Sequence, residues 1–103
     1  MSNGTGGSIT VTNHGAYVAR FFVSWSLNGT PDTQSSGNFT AGVRQSITIP
    51  AGAININVKA EEATGLVWNP WSTIFEKNFP APVTNCYDVT GTTLDNHYSQ
   101  VPC

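Results

Sequence analysis

The chain has 103 residues, a formal net charge of −2 and charged side chains at only 10% of its positions. This length suits one domain with a modest core. The four Lys and Arg residues form no basic run, so we expect neither nucleic-acid binding nor electrostatic capture by anionic lipid. No apolar run reaches the ~18 residues of a transmembrane helix, so any membrane contact must come from loops.

The chain starts with a stretch rich in Gly and Ser, and we predict a flexible segment over 1–8 before a single domain over 9–103. This stretch has neither the basic nor the apolar part of a secretory signal. Two expectations stay open. The protein is either secreted without its leader and peripheral on a target membrane, or of cytoplasmic origin.

Alternation of apolar and polar residues predicts short β-strands along the chain. In the segment 19–27, Phe21, Val23 and Trp25 share one face, which indicates a half-buried strand. In the segment 54–60, the same period places Ile54 and Ile56 in the core. The predicted strands cover 9–12, 19–27, 44–49, 54–60, 72–79 and 87–94. With Gly and Pro between them and no helical periodicity, they predict an all-β fold, a small antiparallel β-sandwich.

One run, EATGLVWNPWS from Glu62 to Ser72, holds two tryptophans and two aliphatic residues beside a glycine and a proline. Tryptophan favours places with one wet and one apolar side, and a membrane interface is such a place. Alternatively, Trp68 and Trp71 close the end of a small core.

Cys86 and Cys103 are the two cysteines of the chain. A disulfide between them would fix the tail, whereas a reducing compartment would leave two free thiols. The sequence leaves both alternatives open.

Groups that could converge on a substrate are scarce. His14 and His97 have no neighbouring acid at metal-ligand spacing, and the adjacent Glu61 and Glu62 would point to opposite faces on a strand. Nucleophile, phosphate-loop and metal-binding patterns are missing from the sequence. We therefore expect no enzyme, no catalytic residue, no cofactor and no metal site.

The tryptophan-containing run resembles the undecapeptide of the cholesterol-dependent, or thiol-activated, cytolysins, whose usual form is ECTGLAWEWWR. Three other segments resemble the membrane-binding C-terminal domain of that family in the same order. They are Gly15-Ala16-Tyr17-Val18-Ala19 (GAYVA in the family), Thr40-Ala41 in its second tip loop and Gly91-Thr92-Thr93-Leu94 (GTTL). Together these similarities extend over about residues 11–94.

The resemblance implies a free-standing relative of that domain, a β-sandwich that binds sterol-containing membrane through loops at one end. Thr93 and Leu94 correspond to the pair linked in the family with cholesterol recognition. The implied membrane-binding residues are Thr93, Leu94, Leu66, Val67, Trp68, Pro70, Trp71, Ala16 and Ala41. The family forms pores with hairpins from other domains, so we expect this chain to bind without perforating by itself.

Departures from the family pattern keep alternatives open. Pro70 replaces a tryptophan, as in family members that bind a membrane protein receptor, and Ser72 replaces the arginine. A lectin of the same fold would bind a membrane-displayed glycan through Tyr17, Trp68, Trp71, Asn69 and Asp95. A third alternative is one component of a defence toxin that needs a partner, and a homo-oligomer also stays open.

Overall fold

The computed structural model describes residues 6–103, which form eight strands in two four-stranded sheets. The strands are β1 (Gly7–Asn13), β2 (Ala19–Leu27), β3 (Thr30–Ser35), β4 (Arg44–Ile49), β5 (Ile54–Ala63), β6 (Trp71–Phe79), β7 (Thr84–Thr92) and β8 (Asp95–Val101). The first sheet has the order β4-β1-β7-β8 and the second β3-β2-β5-β6. The predicted β-sandwich is confirmed, but β1 and β7 pair in parallel, so the first sheet is mixed rather than antiparallel.

The predicted bounds of β2 and β4 agree with the structure. β1 starts earlier than predicted, because Gly7 and Ser8 already pair with β4 instead of belonging to a flexible segment. The rest of the predicted flexible segment, apart from residue 6, lies outside the described residues. Sequence periodicity missed β3 and β8, whose residues are polar and mostly exposed, because both are edge strands that bury little.

The core fills the space between the sheets with alternate residues of the strands. Phe21, Val23 and Ile56 are fully buried as predicted, and Val58 is also fully buried. Ile54 is 51% exposed, so its predicted core position is wrong. Alternation fails there because the β2–β5 register shifts between Ser24 and Ser26, while Asn55 adopts a left-handed backbone with φ 54°.

The tail is fixed by a disulfide between Cys86 and Cys103, whose Cα atoms are 5.2 Å apart. Cys86 also pairs with Val101 in the β7–β8 ladder, so the bridge adds a covalent link to a paired strand. No helix within residues 6–103 has the length and hydropathy needed to cross a membrane.

Candidate functional site

Strand directions bring four loops to one end of the sandwich. β1 runs parallel to β7 and antiparallel to β4, so β1 and β7 end where β4 starts. β2 runs antiparallel to β5, so β2 starts where β5 ends. The loops 14–18, 36–43, 64–70 and 93–94 therefore share this end, which we call the loop end. The strand order thus gathers all four segments that carry the family resemblance.

Backbone hydrogen bonds connect the loops across the two sheets. The Ala16 amide donates to the Gly91 carbonyl oxygen at 2.9 Å, and the Gly42 amide donates to that of Asn13 at 2.6 Å. The Ala63 amide donates to the Val18 carbonyl oxygen at 2.8 Å. The loop end is therefore one connected surface.

Large apolar side chains are exposed at this end. Val67 is 92% exposed, Trp68 81% and Leu94 95%, and Val43 and Leu66 are exposed to a smaller extent. Among residues 6–103, the other exposed large apolar side chains are Ile54 and Tyr98, which lie on strands away from these loops. Such a concentration of exposed apolar surface is typical of an interaction site.

The loop 64–70 is closed at its base by Thr64. The Thr64 amide donates to the Pro70 carbonyl oxygen at 2.9 Å, and the Thr64 hydroxyl donates to the Asn69 carbonyl oxygen. The Leu66 amide donates to the same hydroxyl at 3.1 Å. Gly65 takes a left-handed φ of 81°, which favours glycine. The residues that follow the glycine in this tight turn, 66–70, are all exposed to solvent.

Trp71 lies in a different environment from Trp68. It begins β6, pairs with Ala63 and is partly buried on the outer face of the second sheet. The Arg20 guanidinium lies 3.6 Å from the centre of the Trp71 ring. The structure therefore places one tryptophan in the loop and the other against a strand.

The turn between β7 and β8 presents the threonine-leucine pair. Thr92 pairs with Asp95, so Thr93 and Leu94 form the tip of a hairpin. Thr93 is partly buried, whereas Leu94 is almost fully exposed. The Asp95 side chain is 79% exposed and lies 3.0 Å from His97. Ala16 and Ala41 are exposed in their own loops at the same end.

Tyr17 is buried, which removes it from the predicted glycan-binding residues. Its hydroxyl donates to the Thr90 carbonyl oxygen at 2.7 Å, and its ring packs so closely on Gly15 that a Cβ there would collide with it. Burial, followed by the nearby Glu62 carboxylate, raises the pKa of Tyr17 to about 12. The GAYVA segment therefore builds the base of the loop end and offers no aromatic surface to a ligand.

Asn13 positions two of the loops. It is fully buried, and its amide nitrogen donates to the carbonyl oxygens of Tyr17 at 2.7 Å and Phe39 at 3.2 Å. Its side-chain oxygen accepts from the Gly15 amide at 2.8 Å. Sequence reasoning missed this role of Asn13.

Glu62 is a fully buried acid beneath the loop end, and neither carboxylate oxygen has a hydrogen-bond partner among the described residues. Burial raises the pKa of Glu62, while the nearby Asn96 amide acts in the opposite direction. Sequence reasoning missed its burial, although its alternation with Val58 and Ala60 on the inner face of β5 was an available signal.

Each histidine lies near an acid in the fold, which sequence reasoning did not expect. His14 is 3.7 Å from Asp88, and His97 is paired with Asp95. Within residues 6–103, no three His, Cys, Asp or Glu side chains converge as metal ligands do.

The fold and the loop end define a β-sandwich domain whose exposed apolar loops gather at one end. The family model described as "Thiol-activated cytolysin beta sandwich domain" matches residues 8–97. The chain therefore belongs to the thiol-activated cytolysin family, and the resemblance found in its loop segments is confirmed.

Individual relatives agree with this assignment. Listeriolysin O of Listeria monocytogenes is 35% identical over 107 residues, which cover 92% of this chain and 20% of that protein. Its crystal structure superposes on 95% of this chain and 22% of its own with a TM-score of 0.72 and 32% identity. The chain thus spans about a fifth of the length of listeriolysin O.

Two further solved structures share the fold. Wild-type pneumolysin matches 93% of this chain and 23% of its own, with a TM-score of 0.76 and 28% identity. A disulfide-locked mutant of intermedilysin, solved with human CD59, matches 93% of this chain and 24% of its own, with a TM-score of 0.71 and 30% identity.

Proposed function

We propose that this domain recognises sterol-containing membrane through its loop end, by binding alone and without catalysis. The observation that carries the proposal is the exposure of Val67, Trp68 and Leu94 in loops that share one end of the sandwich. A soluble fold gains nothing from such exposure, whereas a lipid interface removes these side chains from water.

The expected affinity follows from the apolar area. Burial of about 300 Å² in lipid gives a gross gain of roughly 8 kcal/mol at about 25 cal/mol per Å². Association and ordering remove a large part of this gain. Binding by a single domain should therefore be weak and reversible, and tight binding would need several copies on one membrane. Because few charges take part, binding should depend little on salt.

Thr93 and Leu94 are the residues we assign to the sterol. Leu94 is exposed at the tip of a hairpin, where it would pack on the ring system. The partly buried Thr93 would hydrogen-bond the sterol hydroxyl. Support comes from the GTTL segment and from membership of the cytolysin family. Taken by itself, the chain would bind without perforating the membrane.

Sedimentation with vesicles tests this function. The purified chain is mixed with phosphatidylcholine vesicles with and without cholesterol, and pelleting and tryptophan emission are recorded. We expect sterol-dependent pelleting with a blue shift, its loss in Thr93→Gly/Leu94→Gly, and no release of trapped dye. Equal pelleting with cholesterol-free vesicles would contradict sterol recognition.

A membrane-displayed protein receptor is the second candidate. Intermedilysin, which shares this fold, was solved with human CD59, and Pro70 gives the loop of this chain a sequence that differs from the usual undecapeptide. Binding to cells that disappears after protease treatment, together with no binding to protein-free vesicles, would favour a receptor. Competition by free sugars would instead favour a glycan, for which Trp68, Asn69 and Asp95 remain exposed.

A further inference from the structure

The two tryptophans of the run differ in what holds them. Trp68 is 81% exposed in the loop, whereas Trp71 starts β6 and lies under the side chain of Arg20 from β2. The two side chains are only three positions apart. The difference between them therefore comes from what each side chain contacts in the fold.

Arg20 is fixed from two directions. Its guanidinium lies 3.6 Å from the Trp71 ring centre and 5.1 Å from that of Phe22. Its Nε donates to Oε1 of Glu61 at 2.9 Å, and its Nη2 forms an ion pair with the same oxygen at 2.8 Å. The other Glu61 oxygen lies 3.7 Å from Lys59. The guanidinium is thus held over Trp71 by a carboxylate that has a second basic neighbour.

This contact is stronger than an exposed one. The side chains of Arg20 and Glu61 are only 27% and 12% exposed, so the pair is largely shielded from water. Cation–π attraction increases with desolvation, and the planar guanidinium can stack on a ring while it donates to a carboxylate. Lysine does both less well, because its ammonium is a compact, strongly hydrated point charge without a planar face to stack on the ring.

The basic group comes from an unusual place in the chain. The usual undecapeptide of the family has an arginine directly after its last tryptophan, and Ser72 takes that position here. Ser72 pairs with the buried Glu62, so its side chain shares the inner face of the sheet. The positive charge beside Trp71 is supplied instead by β2, which lies on the far side of β5 in the same sheet.

We infer that Arg20 is a positioning residue of the loop end: it holds Trp71 on the outer face of the second sheet, so that Trp68 is the tryptophan that enters the lipid. We call the contact of Arg20 with the Trp71 ring, together with its ion pair to Glu61, the clamp. The clamp also fixes the base of the loop, where the Thr64 amide donates to the Pro70 carbonyl oxygen. The lipid part of this inference rests on the proposed membrane function, whereas the clamp itself does not.

Acrylamide quenching in solution tests the clamp without any membrane. In Trp68→Phe, Trp71 is the tryptophan that acrylamide can reach, and in Trp71→Phe it is Trp68, because Trp25 is buried in both variants. With Arg20 present, we expect Trp71 to be quenched much less than Trp68. Arg20→Gln in the Trp68→Phe background should raise the quenching constant at least about twofold, since it removes a desolvated cation–π contact.

Matched variants separate the clamp from general effects. Arg44→Gln removes the same charge from an exposed position on the first sheet and should leave quenching unchanged. Arg20→Lys keeps the charge and should restore protection only in part. Glu61→Gln weakens the ion pair while Arg20 stays in place. It gives a second test of whether Arg20 protects Trp71 if Arg20→Gln does not fold. Equal thermal unfolding midpoints across these variants would exclude a general loosening of the fold as the cause of a change in quenching.

Vesicles containing cholesterol and bromine-labelled phosphatidylcholine, which quenches tryptophan inside the bilayer, test the lipid part. Trp68 should be quenched on binding and Trp71 should not, and Arg20→Gln should make Trp71 sensitive to the label. Trp71 quenched as strongly as Trp68 with Arg20 intact would overturn the inference. Absence of vesicle binding by the unsubstituted chain, with the acrylamide contrast intact, would overturn the proposed function and support the clamp.

Discussion

Trp68→Ala is the perturbation that bears most directly on the loop end. The side chain is 81% exposed, and a tryptophan offers up to about 250 Å². Roughly 200 Å² is therefore free to leave water, which corresponds to a gross gain of about 5 kcal/mol. A ring at the headgroup level buries about half of this area. We expect the substitution to cost about 2.5 kcal/mol of membrane binding, or a ~70-fold weaker partition coefficient.

The assay is the titration of protein with cholesterol-containing vesicles, followed by sedimentation. The control is Ile54→Ala, because Ile54 is also an exposed apolar residue but starts β5, at the opposite end from the loops. It should leave the partition coefficient unchanged. A decrease of less than about threefold for Trp68→Ala, or an equal decrease for both variants, would refute insertion through the loop end.

Three further predictions concern the fold that supports this end. Replacing Cys86 and Cys103 by serine opens a link that spans a sequence separation of 17, and urea denaturation should show a loss of about 3 kcal/mol on the chain-entropy estimate; an unchanged midpoint would contradict the bridge. Burial raises the pKa of Glu62 in the folded protein, whereas in the unfolded chain the pKa of this side chain is about 4.3. Between these two pKa values the folded state therefore keeps a proton that the unfolded state has lost. The free energy of unfolding should therefore fall as pH rises from about 4.3 through the raised pKa, by up to about 1.4 kcal/mol per pH unit, and Glu62→Gln should flatten this dependence in urea titrations. Gly91→Ala should destabilise by more than about 1 kcal/mol relative to Gly29→Ala, because both glycines have left-handed backbones but only the Cβ at Gly91 would meet the backbone of β8; equal losses would contradict the close approach.

Much of the fold could be predicted because the strands of the sandwich alternate inward and outward residues. β2 and β4 keep this period from end to end, and their bounds agree with the prediction. β3 and β8 lie at sheet edges and bury almost nothing, so their sequences carry no periodic signal. Ile54 shows the opposite case, in which a regular pattern continues across a backbone irregularity that only the structure reveals.

The loop segments could be found from their resemblance to a family, but the environment of each side chain could not. Trp68 and Trp71 are the same residue type in the same short run, and only the pairing of both β2 and β6 with β5 brings Arg20 next to Glu61 and over Trp71. Tyr17 was a candidate for glycan binding by its residue type, yet the packing of its ring on Gly15 buries it.

By itself, the sequence determined the class of fold, the family and the four segments that form the loop end, because periodicity and motifs are local properties of a chain. Tertiary structure decided which residues of those segments meet water, which acid is buried and which tryptophan is held by an arginine. These properties depend on contacts between strands far apart in sequence, and strand order and register set such contacts.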